Sequence, residues 1–176
     1  GTGSVAVEIA GLSETVHVYA VERKPEAVEL LRKNREHFHM DNMEIIEALA
    51  PEGLEELPVP THAFIGGSGG RLMDILQTLY RKNPHMRIVI NAISMETIAE
   101  LQEVLEAFPV EDEEILQMQV NRVKKLGSYH LPQAENPVWI CSFTFREGET
   151  GSMNKVKKAL LTEEENGNRK NGEVQR

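Results

Sequence analysis

The chain has 176 residues, 40% hydrophobic and 27% charged, enough for one domain with its own core and unlike a fibre or a wholly disordered segment. Its 28 acidic residues outweigh 19 basic ones to give a net charge of -9, which repels nucleic-acid phosphates and anionic membrane wherever no local basic patch intervenes. The one cysteine, Cys141, has no internal disulfide to form, and there is no signal-like n-region followed by an apolar h-region and no apolar run long enough to span a bilayer, so a cytoplasmic setting is expected.

Along the chain the hydrophobic period alternates between that of a strand and that of a helix. "GTGSVAVEIA" (1–10) places glycines at 1 and 3 before a helical run from Val5 to Ala10. "TVHVYAVE" (15–22), rich in β-branched residues and closing on Glu22, predicts a strand. Pro25 then opens a helix, "PEAVELLRKNREHF" (25–38), with Val28, Leu31 and Phe38 on one face. "MEIIEA" (43–48) and "THAFIGG" (61–67) read as strands, and "GRLMDILQTLYRKN" (70–83) as a helix burying Leu72, Ile75, Leu76 and Leu79. "MRIVINAI" (86–93) reads as a strand buried on both faces, and "METIAELQEVLEAF" (95–108) as an amphipathic helix. "EEILQMQVNRV" (113–123) and "NPVWICSFTF" (136–145) are strand-like runs with no helix between them, expected to pair as an antiparallel ribbon through "LGSYHLPQAEN" (126–136). Residues 1–146 are thus read as one domain. The polar stretch 147–176, with a short helical run around Val156 to Leu161, is read as a tail or linker.

A parallel α/β sheet finished by an antiparallel pair is a doubly wound layout, and such sheets bind ligands at the carboxyl ends of their strands. At the first such place, the glycine turn leads into a helix N-terminus, and Glu22 follows about 20 residues later at the end of the next strand, where a carboxylate can accept two hydrogen bonds from ribose hydroxyls. "GTGSVA" lacks the third glycine of a dinucleotide fingerprint, and "GGSGGRL" has Arg71 and Leu72 where a phosphate loop needs Lys and Ser/Thr. A nucleoside without phosphates fits better.

Other features bear on a second ligand. From Gln117 to Gln133 there is no acidic residue, while Arg122, Lys124, Lys125 and His130 all fall within it, the strongest basic patch in the chain; Arg23 and Arg71 are weaker candidates. Asn91, at the end of a buried strand, needs a partner and either orients a ligand or ties two loops together. Glu96 is expected to cap its helix from the first turn. "HFH" (37–39) lacks a further ligand set for a metal, Trp139 and Phe143 alternate as core residues, and "EDEE" (111–114) reads as the solvated start of a strand.

In order and spacing, "GTGSVAVEIA", "VYAVERKPEAVELLRKN", "EALAPEGL", "FIGGSGG", "NAISMET" and "GSYHLPQAENPVWI" resemble the decarboxylating precorrin-6B C15-methyltransferases of cobalamin biosynthesis, which occur as free proteins or as the C-terminal half of a C5,15-methyltransferase fusion. The resemblance covers residues 1 to about 145. It implies a Rossmann-like S-adenosylmethionine methyltransferase fold, an α/β architecture whose mostly parallel sheet ends in an antiparallel strand pair. By position, Gly1, Thr2 and Gly3 would hold the methionine part of S-adenosylmethionine, Glu22 its ribose, and Ala50 its adenine edge through the backbone. Where the family commonly has Gly-Asp before that Ala-Pro, this chain has Ala48 and Leu49, which leaves adenine to backbone and apolar contacts. The family also places a strand ending in an acid, and one more glycine, just before "GTGS", so the sequence is read as N-terminally truncated with its first strand missing.

The implied substrate is a polycarboxylate tetrapyrrole, methylated at C15 with decarboxylation of an acetate side chain. Gly66, Gly67, Gly69 and Gly70 would admit the flat macrocycle, Ser68 and the amides of the following helix would hold a carboxylate, and Asn91, Arg122, Lys124, Lys125 and His130 are the further substrate residues. Methyl transfer to an electron-rich carbon needs positioning more than a strong base, so no nucleophilic triad and no metal are expected. The resemblance also admits a homotetramer and a fused or associated C5-methyltransferase domain. Two other readings stand beside it: a related methyltransferase for another small molecule, RNA or protein, and a non-catalytic piece serving assembly.

Overall fold

A computed structural model describes residues 3–148. Gly1, Thr2 and residues 149–176, including the short helix expected around 156–161, lie outside the described residues. Two compact units divide the chain, drawn from Gly1–Pro60 with Asp74–Lys82 and from Thr61–Met73 with Asn83–Arg176.

The first unit opens with helix α1 (Ser4–Ala10), strand β1 (Val18–Glu22), helix α2 (Pro25–His37) and strand β2 (Met43–Glu47). Pro25 starts α2 because its fixed φ suits the first turn and its missing N–H is not needed there, and Arg35 and His37 in the last turn face the negative end of the helix dipole. β1 and β2 pair in parallel with Glu22 opposite Glu47. Val7, Ala10, Leu31 and Met43 form the core between helices and strands. Phe38, expected on the buried face of α2, is exposed, because α2 ends at His37 and Phe38 turns off the helix. Asn42 clamps this unit: its Nδ2 donates to the carbonyls of Ala10 (2.9 Å), Ser13 (3.2 Å) and Val16 (2.7 Å), so one amide satisfies the end of α1 and the loop into β1.

The second unit holds β3 (His62–Ile65), β4 (Arg87–Ala92), helix α4 (Met95–Ala107), β5 (Val110–Met118), β6 (Asn121–Leu126), β7 (Tyr129–Ala134) and β8 (Val138–Phe145). Helix α3 (Leu72–Lys82) links the units in sequence, and its predicted apolar stripe, Leu72, Ile75, Leu76 and Leu79, is buried throughout. The main sheet has the order β3-β4-β8-β5, with β8 antiparallel to both neighbours and β3 parallel to β4. Phe143 and Phe145 on β8 meet edge to face with centroids 5.5 Å apart and Phe108 meets Phe145 at 5.3 Å, within a core that includes Ile88, Ile90 and Val104.

Four further expectations change. β4 is fully buried on one face only, at Ile88, Ile90 and Ala92, because Arg87, Val89 and Asn91 alternate onto the other. α4 is capped by Ser94, whose Oγ accepts the Thr97 N–H at 3.2 Å, and Glu96 occupies the first turn without closing the cap. The run 113–123 is not one strand but belongs to β5 and β6. The stretch 126–136 is no simple connection, because most of it forms β7, joined to β6 by the turn Gly127-Ser128 with Gly127 at φ 61°. β5 carries a bulge where Glu111 pairs with Thr144 and Glu114 with Ser142, so Asp112 and Glu113 face the single residue between them.

Candidate cofactor and substrate site

In the first unit, the carboxyl ends of β1 and β2 lie side by side and are tied by the Ala48 N–H donating to the Glu22 carbonyl at 3.1 Å. The Glu22 side chain folds over the start of the next loop: its Oε1 accepts the backbone N–H of Arg23 and of Lys24, each at 2.9 Å. Partial burial pushes the Glu22 carboxyl upward while the hydrogen bonds from Lys24 and Arg23 pull it down, and on balance it lies below the ordinary carboxylate value. Half-buried Ala50 follows β2 in the segment that Lys82 Nζ holds by the carbonyls of Glu55 (2.8 Å) and Leu57 (2.7 Å).

Gly3 precedes α1 at φ 73°, a conformation that strains any residue with a Cβ, and a side chain there would run into Leu31. α1 begins without a side-chain cap. A nucleoside cofactor fits this unit: the carboxylate of Glu22 is a fixed acceptor for paired hydroxyls, and the Ala50 segment beside it offers backbone.

In the second unit the glycine loop follows β3. Ser68 C=O accepts the Arg71 N–H at 3.3 Å across a turn whose central residues, Gly69 and Gly70, have φ of 62° and 81°. The four glycines therefore differ. Gly69 and Gly70 are required by backbone conformation, and a Cβ at Gly66 would press the Phe64 ring at 3.2 Å. Gly67 has no positive φ and would meet nothing within 4 Å, so the protein itself gives no reason for glycine there. Ser68 is buried and its Oγ donates to Glu100 Oε2 on α4 at 3.2 Å. Glu100 carries no sequence signal: among Glu96, Glu103 and Glu106 it reads as one more solvated helix acid.

Asn91 lies next to this loop in register, since Ile65 pairs with Ile90, and its Oδ1 is buried without a partner among the described residues. It ties no loops together through that atom. The four basic residues sit on the β6–β7 hairpin, whose alternation divides them: Lys125 faces His130 across the ribbon on one side, and Arg122 and Lys124 lie on the other with Leu126, Tyr129 and Leu131. All are exposed, and Arg122 Nε is paired with Glu135 Oε1 at 3.2 Å. Among the described residues, no group of three His, Cys, Asp or Glu gathers as metal ligands, and no helix is long and apolar enough to cross a membrane.

Parallel strands linked through helices, one reversed strand inserted at β8, a glycine turn after β3 and an acid at the end of β1 form a Rossmann-like α/β fold, the fold of S-adenosylmethionine-dependent methyltransferases. At the level of fold, a solved S-adenosylmethionine-dependent O-methyltransferase from Thermotoga maritima matches with TM-score 0.66 and 14% identity, over 85% of this chain and 57% of that one. More closely, the crystal structure of precorrin-6y C5,15-methyltransferase from Geobacter metallireducens matches with TM-score 0.74 and 34% identity, over 82% of this chain and 76% of that one. Residues 1–144 match the precorrin methyltransferase domain, and the chain belongs to that family. It is 40% identical over 144 residues to the probable cobalt-precorrin-6B C(15)-methyltransferase (decarboxylating) of Sulfolobus acidocaldarius, covering 80% of this chain and 73% of that relative.

Proposed function

We propose that this chain catalyses S-adenosylmethionine-dependent methylation of a precorrin-6B-type tetrapyrrole at C15, with decarboxylation of an acetate side chain, in cobalamin biosynthesis. The observation that carries the reading is the family match over residues 1–144, which takes in both the strand-end acid Glu22 and the glycine loop.

S-adenosylmethionine supplies a methyl group made electrophilic by its sulfonium. The chain's part is to hold and orient: Gly3, with Gly1 and Thr2, serves the methionine end, Glu22 accepts from the ribose hydroxyls, and the Ala50 backbone meets the adenine edge. Gly66, Gly67, Gly69 and Gly70 give a macrocycle close access to backbone, and Asn91, beside that loop in register, orients it. Arg122, Lys124, Lys125 and His130 receive substrate carboxylates. Because the methyl acceptor is an electron-rich carbon and the macrocycle's conjugated imines take up the electrons released with carbon dioxide, positioning and exclusion of water are the protein's main tasks.

Residues 1–146 are read as the methyltransferase domain and 147–176 as a tail or linker, in a cytoplasmic setting. A homotetramer is the proposed assembly.

The deciding experiment incubates the protein with methyl-labelled S-adenosylmethionine and a precorrin-6B-type substrate and weighs the product. A labelled tetrapyrrole one methyl richer and one carbon dioxide lighter is expected. Cofactor binding without any such product would overturn the reading.

A further inference from the structure

We infer that Glu100 is a positioning residue of this site: its carboxylate turns Ser68 inward and so sets the face that the glycine loop presents to the substrate. The inference rests on the methyltransferase reading above and concerns a residue to which that reading gives no part.

Three observations in the second unit support it. Ser68 is 7% exposed, and its hydroxyl donates to Glu100 Oε2 at 3.2 Å. The other carboxylate oxygen, Oε1, lies 3.7 Å from where a Gly70 Cβ would stand, so the same side chain backs the second half of the turn. On either side of Ser68, Gly67 and Gly69 are exposed, and a Cβ at either would meet nothing within 4 Å. Residue 68 thus points in while 67 and 69 face open space. With the Ser68 proton directed at Glu100, substrate carboxylates meet backbone at this loop instead of the hydroxyl, and the loop's shape depends on a helix 32 positions further along the chain.

Without the acceptor, Ser68 would have a buried hydroxyl with no partner at that atom, and the turn would be free to rotate it outward. The consequence falls on the substrate and not on the cofactor, whose proposed residues are Gly1, Thr2, Gly3, Glu22 and Ala50.

The test measures steady-state kinetics and S-adenosylmethionine affinity for Glu100→Ala, Glu100→Gln, Ser68→Ala and the Ser68→Ala/Glu100→Ala double variant. Glu100→Ala and Ser68→Ala should each lower kcat/KM for the tetrapyrrole about tenfold, chiefly through KM, with cofactor affinity unchanged. Glu100→Gln, which keeps an acceptor oxygen, should stay within about threefold of wild type, and the double variant should be no worse than either single one. Should Glu100→Ala fail to fold, Ser68→Ala and Glu100→Gln probe the same contact. Wild-type kinetics in Ser68→Ala, additive losses in the double variant, or a Glu100→Gln defect as large as that of Glu100→Ala would overturn the inference. An inactive wild-type protein would instead count against the methyltransferase reading.

Discussion

Glu22 bonds its own loop: Oε1 accepts the N–H of Lys24, two residues on, at 2.9 Å, and Arg23 adds a second donor at the same distance. The carboxylate at the end of β1 is therefore oriented before any ligand arrives, which lowers the entropy cost of binding. Glu22→Gln should weaken S-adenosylmethionine binding about 10- to 100-fold, the range for losing a charged hydrogen-bond acceptor. Calorimetry that returned wild-type affinity would remove Glu22 from the cofactor site.

The glycine loop predicts opposite behaviour for two neighbours. Gly69→Ala forces a Cβ into φ 62° and should cost about 1–2 kcal/mol of stability, seen as a lower denaturant midpoint. Gly67→Ala meets neither strain nor a neighbour, so its stability should match wild type within about 0.5 kcal/mol while its KM for the tetrapyrrole rises. A stable Gly67→Ala enzyme with unchanged KM would mean that the macrocycle does not approach this position.

Asn91 separates folding from function. Its buried Oδ1 has no partner among the described residues, so Asn91→Val removes an unsatisfied acceptor and should leave stability within about 1 kcal/mol of wild type or above it. Turnover should fall. A large loss of stability would show that the amide serves the fold.

Burial pushes the Cys141 thiol up to about 11 from its ordinary 9.0, with the Glu113 carboxylate adding to the rise and Arg87 opposing it. The folded state holds the proton more tightly than the unfolded one, so this contribution to stability is complete below about 9 and is lost as pH rises through about 11. Thermal melts across that window should decline less steeply for Cys141→Ala than for wild type. At neutral pH, alkylation of the native thiol should be slow until denaturant is added.

On the hairpin, Arg122 is already paired with Glu135, whereas Lys125 and His130 face one another across the ribbon. The Lys125→Ala/His130→Ala variant should raise the substrate KM more than Arg122→Ala/Lys124→Ala does. Equal losses would indicate that the two faces do not act separately.

Much of this was legible in residue order. Glu22 closes β1 and the glycines follow β3, as the alternating periods indicate, because strand ends and positive-φ turns are decided by residues close together in the chain. The dipeptide Gly127-Ser128 was also a hairpin signal, but the continuous polar and apolar mixture around it concealed β7. Ser94, just ahead of the helical run, was also a readable helix start, since a serine hydroxyl can accept the N–H three residues on where the Glu96 carboxylate does not.

By itself, then, the sequence determined the alternation of helices and strands, the position of the strand-end acid and the resemblance to a methyltransferase family, since these rest on local conformational preference and linear spacing. Only the tertiary structure decided that Ser68 turns in to Glu100, that Asn91 Oδ1 is buried without a partner among the described residues, and that the basic residues divide between two faces. Those facts depend on which distant segments share a register or a packing layer, and cross-strand pairing and contacts 32 residues apart are set by the free energy of the assembled core and by no single stretch of chain.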